Sequence, residues 1–331
     1  MNKPDDQNRG QDLGTQDLGA QDLGTQDLGI AGTVAPEGAA RNFKRRVASA
    51  LVLAPIAIAA TYLGGFAFVI VCAIAAGAVL WEWTSLVAQS AEPRILAPGL
   101  TALGVAAAFA GVSEAVPAIA TVAFGAVLAA GIMTIWPRRA PPQISPRQVS
   151  PPQSSPQQVS PFWGAGGVIY AGVVLLSPTL LRNDPQFGLQ ALLFLFAVVW
   201  ATDIFAYLVG RRLGGPLLWP RLSPKKTWSG AIGGTVGGVA AGIAVAYASG
   251  GTRAAVAGVL ALVLSIVAQG GDLFESAIKR RFGVKDTSHL IPGHGGVMDR
   301  LDGFLVAAFA AVLIGILRQG VAAPARGLLA W

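Results

Sequence analysis

The chain has 331 residues, 53% of them hydrophobic and only 12% charged, about half the charged share of a soluble domain. That deficit excludes an ordinary water-soluble globule and makes lipid the solvent for most of the chain, while the ten-residue alternating segments of a β-barrel are absent. The net charge of +7 raises nucleic acid as a partner, but in so apolar a chain it is read as cationic cytoplasmic loops that meet anionic lipid head groups, and no nucleic acid is expected.

Residues 1–40 contain "QDLGTQDLGAQDLGTQDLG", a five-residue repeat too polar and Gly-rich to bury a core, so a disordered N-terminal tail is expected there. It is not read as a signal peptide, because no apolar segment follows a short basic start. Residues 41–136 form an N-terminal group of transmembrane helices, with spans near 47–64, 66–88, 97–113 and 115–136. Cys72, the only cysteine, rules out an internal disulfide framework and a thiolate metal cluster and reads as a small core residue. In "WEW", Glu82 stands between Trp81 and Trp83 and is expected to be an interfacial anchor. Residues 137–161 are a Pro/Ser/Gln linker whose proline density prevents a helix.

Residues 162–331 form a second, C-terminal transmembrane domain with spans near 163–181, 188–210, 229–249, 253–275 and 302–318. The fold expected is an all-α polytopic membrane protein with about nine transmembrane helices. Short spans and the tight "GG" at 64–65 leave eight or ten open. Lys and Arg set the orientation. With the N-terminus in the cytoplasm, 20 of the 24 Lys and Arg fall on that side, leaving only Arg182, Arg253, Arg318 and Arg326 opposite.

The chemistry gathers in the C-terminal domain, in three stretches. In "WATDIFAYLVGRRLGG" (200–215), Asp203 sits inside an apolar helix, where a carboxylate costs about 2.5–3.5 kcal/mol unless paired or hydrated. In "RLSPKKTWSG" (221–230), Ser223 and Pro224 start a turn, and Lys225 and Lys226 meet a helix N-terminus, a combination suited to an anion. A helix–helix polar contact and an ordinary cationic loop are the plainer readings of these two. The third stretch, 270–303, carries Asp272, Glu275, Ser276 and Lys279 at i, i+3, i+4 and i+7, one face of a helix. Then come Arg280, Lys285, Asp286 and the "IPGHGG" loop, and Asp299, Arg300 and Asp302 lead into the last span. Hard cations such as Mg²⁺ take oxygen ligands, typically one or two carboxylates plus substrate phosphates. Asp272 and Asp299 could supply such carboxylates from separate helices, with Asp203 and Asp302 as further metal or supporting groups. Gly295 and Gly296 would let backbone N–H groups approach an anion. His294 is expected to order the loop or touch a phosphate, since an ionised phosphate nucleophile needs no general base.

The third stretch resembles the signature of the CDP-diacylglycerol synthase (phosphatidate cytidylyltransferase) family. The matching residues are Ser276, Lys279-Arg280, Lys285-Asp286, Ser288, Ile291-Pro292, His294-Gly295-Gly296, Asp299-Arg300 and Asp302. "ATDIFAYLVGR" and "SPKKTW" also look like family segments in the same order, and the resemblance covers about 163–318. One departure is Ser229, where the family usually has Glu after the Trp. The resemblance implies an enzyme of phospholipid biosynthesis that joins CTP and phosphatidic acid to give CDP-diacylglycerol and pyrophosphate, with Mg²⁺ on Asp272 and Asp299 and a K⁺ nearby. It places Lys279, Arg280 and His294 in the catalytic set and Ser223, Lys225, Lys226, Lys285, Asp286, Gly295, Gly296 and Arg300 around the substrates. It also implies a homodimer in a cell (inner) membrane, the active site facing the cytoplasm. Two other readings of the residues remain open: a CTP-dependent polyprenol- or phytol-type lipid kinase, and an ion-coupled transporter.

Overall fold

A computed structural model describes residues 54–136, 159–250, 253–288, 290 and 295–330. The tail expected over 1–40, residues 137–158 of the linker, and His289 and His294 lie outside the described residues. In chain order the elements are α1 (Ala54–Leu63), α2 (Gly65–Ala88), α3 (Pro93–Gly111), α4 (Ala115–Ile135), α5 (Pro161–Arg182) and α6 (Gly188–Leu213). They continue with β1 (Leu217–Trp219), β2 (Ser223–Thr227), α7 (Trp228–Ala248), α8 (Ala254–Arg281), α9 (Met298–Gln319) and α10 (Pro324–Leu329). Among the described residues, eight helices, α2 to α9, are long and apolar enough to cross a membrane. The chain is an all-α polytopic membrane protein, and each of the nine expected spans corresponds to one of α1–α9, with α1 described only from Ala54.

Local chemistry explains the helix ends. Gly64 (φ 63°) and Gly65 (φ 51°) make the tight turn between α1 and α2 in the left-handed region that favours glycine. Arg182 of α5 donates through Nε to the Thr61 carbonyl at 2.6 Å, satisfying a group freed at the end of α1. Helices α3 and α5 begin on Pro93 and Pro161, with the Glu92 and Ser160 side chains accepting from the Arg94 and Phe162 N–H groups.

Helix α5 is the axis of the bundle: 72% of its apolar window is buried, against 22–39% for the other spans. It packs against α2, α3, α4, α6 and α9, so the helices on either side of the 137–161 stretch share one core. Helices α6 and α7 approach closely because α7 is glycine-rich. A Cβ at Gly234 would lie 2.7 Å from the Thr202 carbonyl oxygen, and in lipid small residues let helix backbones approach closely enough to pack. Large apolar side chains such as Ile74, Phe124, Val127 and Ile232 face outward, where lipid would cover them.

Three features differ from the sequence expectation. Helix α8 continues to Arg281 and α9 starts at Met298, six residues beyond and four before the expected limits. Hydropathy marks where lipid contact ends, whereas backbone hydrogen bonding carries a helix on into the polar layer. Residues 217–227 form an antiparallel hairpin, with Leu217 opposite Thr227 and Trp219 opposite Ser223, in place of the expected turn at Ser223-Pro224. The short C-terminal helix α10 was not expected.

Candidate active site

The last three turns of α8, the first two turns of α9, the segment joining them and the β2–α7 junction bring the charged residues together. Helices α8 and α9 come this close because Gly271 and Gly303 face each other's backbone. A Cβ at Gly271 would meet the Asp302 carbonyl at 2.9 Å, and one at Gly303 the Ala268 carbonyl at 3.1 Å. Across this contact, carboxylate oxygens of Asp272, Glu275 and Asp302 all lie within 4.8 Å of one another. Lys226, at the end of β2, makes an ion pair with Asp272 Oδ2. Lys279 Nζ lies 2.8 Å from both Glu275 Oε2 and Asp299 Oδ1 and so joins the two helices.

Glu275 is 1% exposed. Its Oε2 is ion-paired with Lys279 Nζ, while its Oε1 has no hydrogen-bond partner among the described residues. Buried acceptors are normally satisfied, so these atoms, beside two further carboxylates, offer the hard oxygen set that suits a divalent cation. The residues present can therefore hold a metal.

Asp299 plays a different part in this arrangement. Its Oδ1 accepts from Lys279, while Oδ2 accepts from Thr287 N–H (3.1 Å), Thr287 Oγ1 (3.0 Å) and Gly296 N–H (2.8 Å). The carboxylate thus ties Thr287 and Gly296 of the connecting segment to the start of α9. Asp302 lies one turn further along, with Oδ1 accepting from the Gly303 N–H.

The other expected residues are placed as follows. Asp203 is on the exposed side of α6, within electrostatic range of Asp272, Lys226 and Arg300. Ser223 and Lys225 lie on β2, with Lys225 exposed. Arg280 is exposed and donates to the Val284 carbonyl. Lys285, Asp286 and Arg300 are exposed on the segment between α8 and α9 and at the start of α9. Ser229, the departure from the family pattern, donates to the Gly214 carbonyl.

Glu82 departs from the sequence expectation. It is not an interfacial anchor but fully buried, accepting from Ser288 Oγ (2.6 Å), Val297 N–H (2.8 Å) and Met298 N–H (2.7 Å). Glu275 and Thr287 are further site groups not selected from the sequence. The available signal for Glu82 was the cost of a carboxylate within an apolar span. Glu275 lay on the α8 face already identified.

Gly295 (φ 82°) occupies the left-handed region. A Cβ at Gly296 would overlap Thr287 Oγ1 and lie 2.7 Å from both Glu82 oxygens. Gly296→Ala is therefore expected to destabilise the protein by about 1–3 kcal/mol and to lower turnover about tenfold, read from thermal unfolding and initial rates in detergent. Unchanged values in both would contradict this packing.

Residues 44–317 match the model of the family described as "Cytidylyltransferase family". The chain belongs to the cytidylyltransferase family. A phosphatidate cytidylyltransferase of Brucella abortus is 41% identical over 295 residues, covering 83% of this chain and 93% of that protein. The Haemophilus influenzae phosphatidate cytidylyltransferase is 41% identical over 142 residues, 41% of this chain and 49% of that protein. The Staphylococcus aureus one is 42% identical over 139 residues, 42% of this chain and 52% of that protein. As a member of the cytidylyltransferase family, the chain is a nucleotidyltransferase, as the signature between Ser276 and Asp302 implied.

Proposed function

We propose that this chain transfers the cytidylyl group of CTP to phosphatidate, giving CDP-diacylglycerol and pyrophosphate, at the cytoplasmic face of a cell (inner) membrane. A phosphate oxygen of the lipid attacks the α-phosphorus of CTP. The new P–O bond forms as the bond to the β-phosphate oxygen breaks, and pyrophosphate leaves with that electron pair. The attacking oxygen is already ionised, so no base is required. The obstacle is repulsion between two anions, which positioned charge and orientation reduce.

The observation that carries this reading is the group of three carboxylates, drawn from α8 and α9 and flanked by Lys226 and Lys279, at helix ends. A lipid phosphate can reach such a position while its acyl chains stay beside the spans, and a soluble nucleotide can reach it from water. Mg²⁺, held by Asp272, Glu275 and Asp302, would supply charge neutralisation of the phosphates. For Asp299 to join that set, as the family resemblance implies, Lys279 must give up Oδ1. Asp203, within electrostatic range of Asp272, would be a further metal or supporting carboxylate.

Lys225 beside Lys226, Arg280 beside Lys279, Arg300 beside Asp299 and Lys285 on the joining segment would hold the triphosphate and the lipid phosphate as exposed cations. Ser223, Asp286 and Gly295 would complete the substrate contacts, and His294 would touch a phosphate. The orientation rests on the placement of 20 of the 24 Lys and Arg on one side. The homodimer implied by the resemblance belongs to the same reading.

The purified chain with CTP, phosphatidic acid and Mg²⁺ is expected to form CDP-diacylglycerol, identified by mass spectrometry, and none once a chelator is added. A phosphorylated lipid alcohol as the product, or no turnover with Mg²⁺ present, would overturn the proposal.

A further inference from the structure

Glu82 belongs to α2, more than 180 residues before any carboxylate of the acidic cluster. Yet its side chain ends at the start of α9. Three consecutive N–H groups there are divided between two carboxylates: Gly296 donates to Asp299, and Val297 and Met298 donate to Glu82. The opposite shoulder of the connecting segment is divided in the same way, with Thr287 donating to Asp299 and Ser288 to Glu82. Val297 and Met298 lie at the helix N-terminus, where N–H groups have no partner within the helix and a negative charge is favoured.

The chain fixes Glu82 firmly. Its neighbour Trp83 donates from Nε1 to the Trp163 carbonyl at 2.9 Å and stacks on Tyr170 with ring centroids 5.3 Å apart, which locks α2 against α5. Both Glu82 oxygens are used as acceptors, two donors on Oε1 and one on Oε2. A glutamine in its place has one acceptor oxygen and an NH₂ group. The NH₂ would face at least one N–H or O–H donor, leaving buried donors unpaired.

We infer that Glu82 is a positioning residue for cytidylyl transfer, setting the N-terminus of α9, and with it Asp299 and Asp302, relative to Asp272 and Glu275. This rests on the reaction proposed above. It gives the N-terminal helices a part in the reaction: α2 supplies the fixed point against which the α9 carboxylates are set.

The test uses the full chain in detergent, measuring kcat, KM for CTP and the thermal unfolding midpoint for wild type, Glu82→Gln, Glu82→Asp, Ser288→Ala and the Glu82→Gln/Ser288→Ala double variant. Glu82→Gln is expected to lower kcat by about 10- to 100-fold, the cost of a displacement on the order of 1 Å, with KM changed by less than about threefold. Glu82→Asp recovers part of the loss. Ser288→Ala lowers kcat several-fold, and the double variant is no slower than Glu82→Gln alone, because both act through one contact.

The inference is overturned if Glu82→Gln keeps kcat within about twofold of wild type. It is also overturned if its loss only matches the fraction of protein unfolded. Should Glu82→Gln fail to fold, Ser288→Ala decides, and a kcat within about twofold of wild type overturns the inference. A wild-type protein that makes no CDP-diacylglycerol defeats the proposed function. A working wild type with an indifferent Glu82→Gln defeats this inference alone.

Discussion

Asp272→Asn is expected to lower cytidylyl transfer by about 100- to 1,000-fold, the loss seen when one preorganised electrostatic group is removed from a reacting centre. The substitution keeps the shape of the side chain and removes its charge. Asp272 is 33% exposed and its partner Lys226 30% exposed, so neither is a packing element. A partly exposed pair of this kind contributes about 0–1 kcal/mol to stability. The thermal midpoint should therefore hardly move while kcat/KM collapses. The Mg²⁺ concentration for half-maximal residual activity should rise about tenfold or more, since one of the three carboxylates proposed to hold the ion is gone. Wild-type kcat/KM in the purified variant would show that Asp272 takes no part.

Asp299→Asn is expected to remove activity to a similar extent but by another route. Asp299 is only 6% exposed and accepts from four donors, one of them the charged Lys279. An amide in the same place turns an NH₂ group toward either Lys279 or the Thr287 and Gly296 donors, and among the described residues Lys279 keeps Glu275 as its ion-pair partner. Hydrogen bonds to charged groups contribute about 1.5–3 kcal/mol each, and the net loss of folding stability is expected to be about 2–4 kcal/mol once the amide oxygen replaces part of the set. The two variants are thus separable. Thermal unfolding in detergent should show Asp299→Asn lowered by several degrees and Asp272→Asn close to wild type. Equal midpoints with equal activity loss would mean that Asp299 acts as Asp272 does.

The spans and the charged face of α8 were legible because both are periodic. A run of about 20 apolar residues and an i, i+3, i+4, i+7 array each carry their geometry in their spacing. Asp272 and Asp299 were the carboxylates singled out for an ion, with Asp302 as a further candidate, and nothing in the spacing says that Glu275, rather than Asp299, stands with Asp272 and Asp302 within 4.8 Å. Glu82 could not be placed from its neighbours. Its donors lie 206 to 216 residues further along the chain, and the flanking tryptophans fit a membrane interface equally well. The hairpin at 217–227 was hidden by its brevity and by Pro224, which sits on an exposed position of β2 and reads locally as a turn former. The limits of α8 and α9 were displaced because lipid contact stops before the helices do.

The central claim, that carboxylates from α8 and α9 share a divalent ion, is tested most directly by binding rather than by turnover. Mn²⁺ takes the same oxygen ligands, and its EPR signal distinguishes bound from free ion. Detergent-purified wild type should bind Mn²⁺ in competition with Mg²⁺, and both Asp272→Asn and Asp302→Asn should lose that binding while remaining folded. Equal Mn²⁺ binding by wild type and both variants would contradict the account.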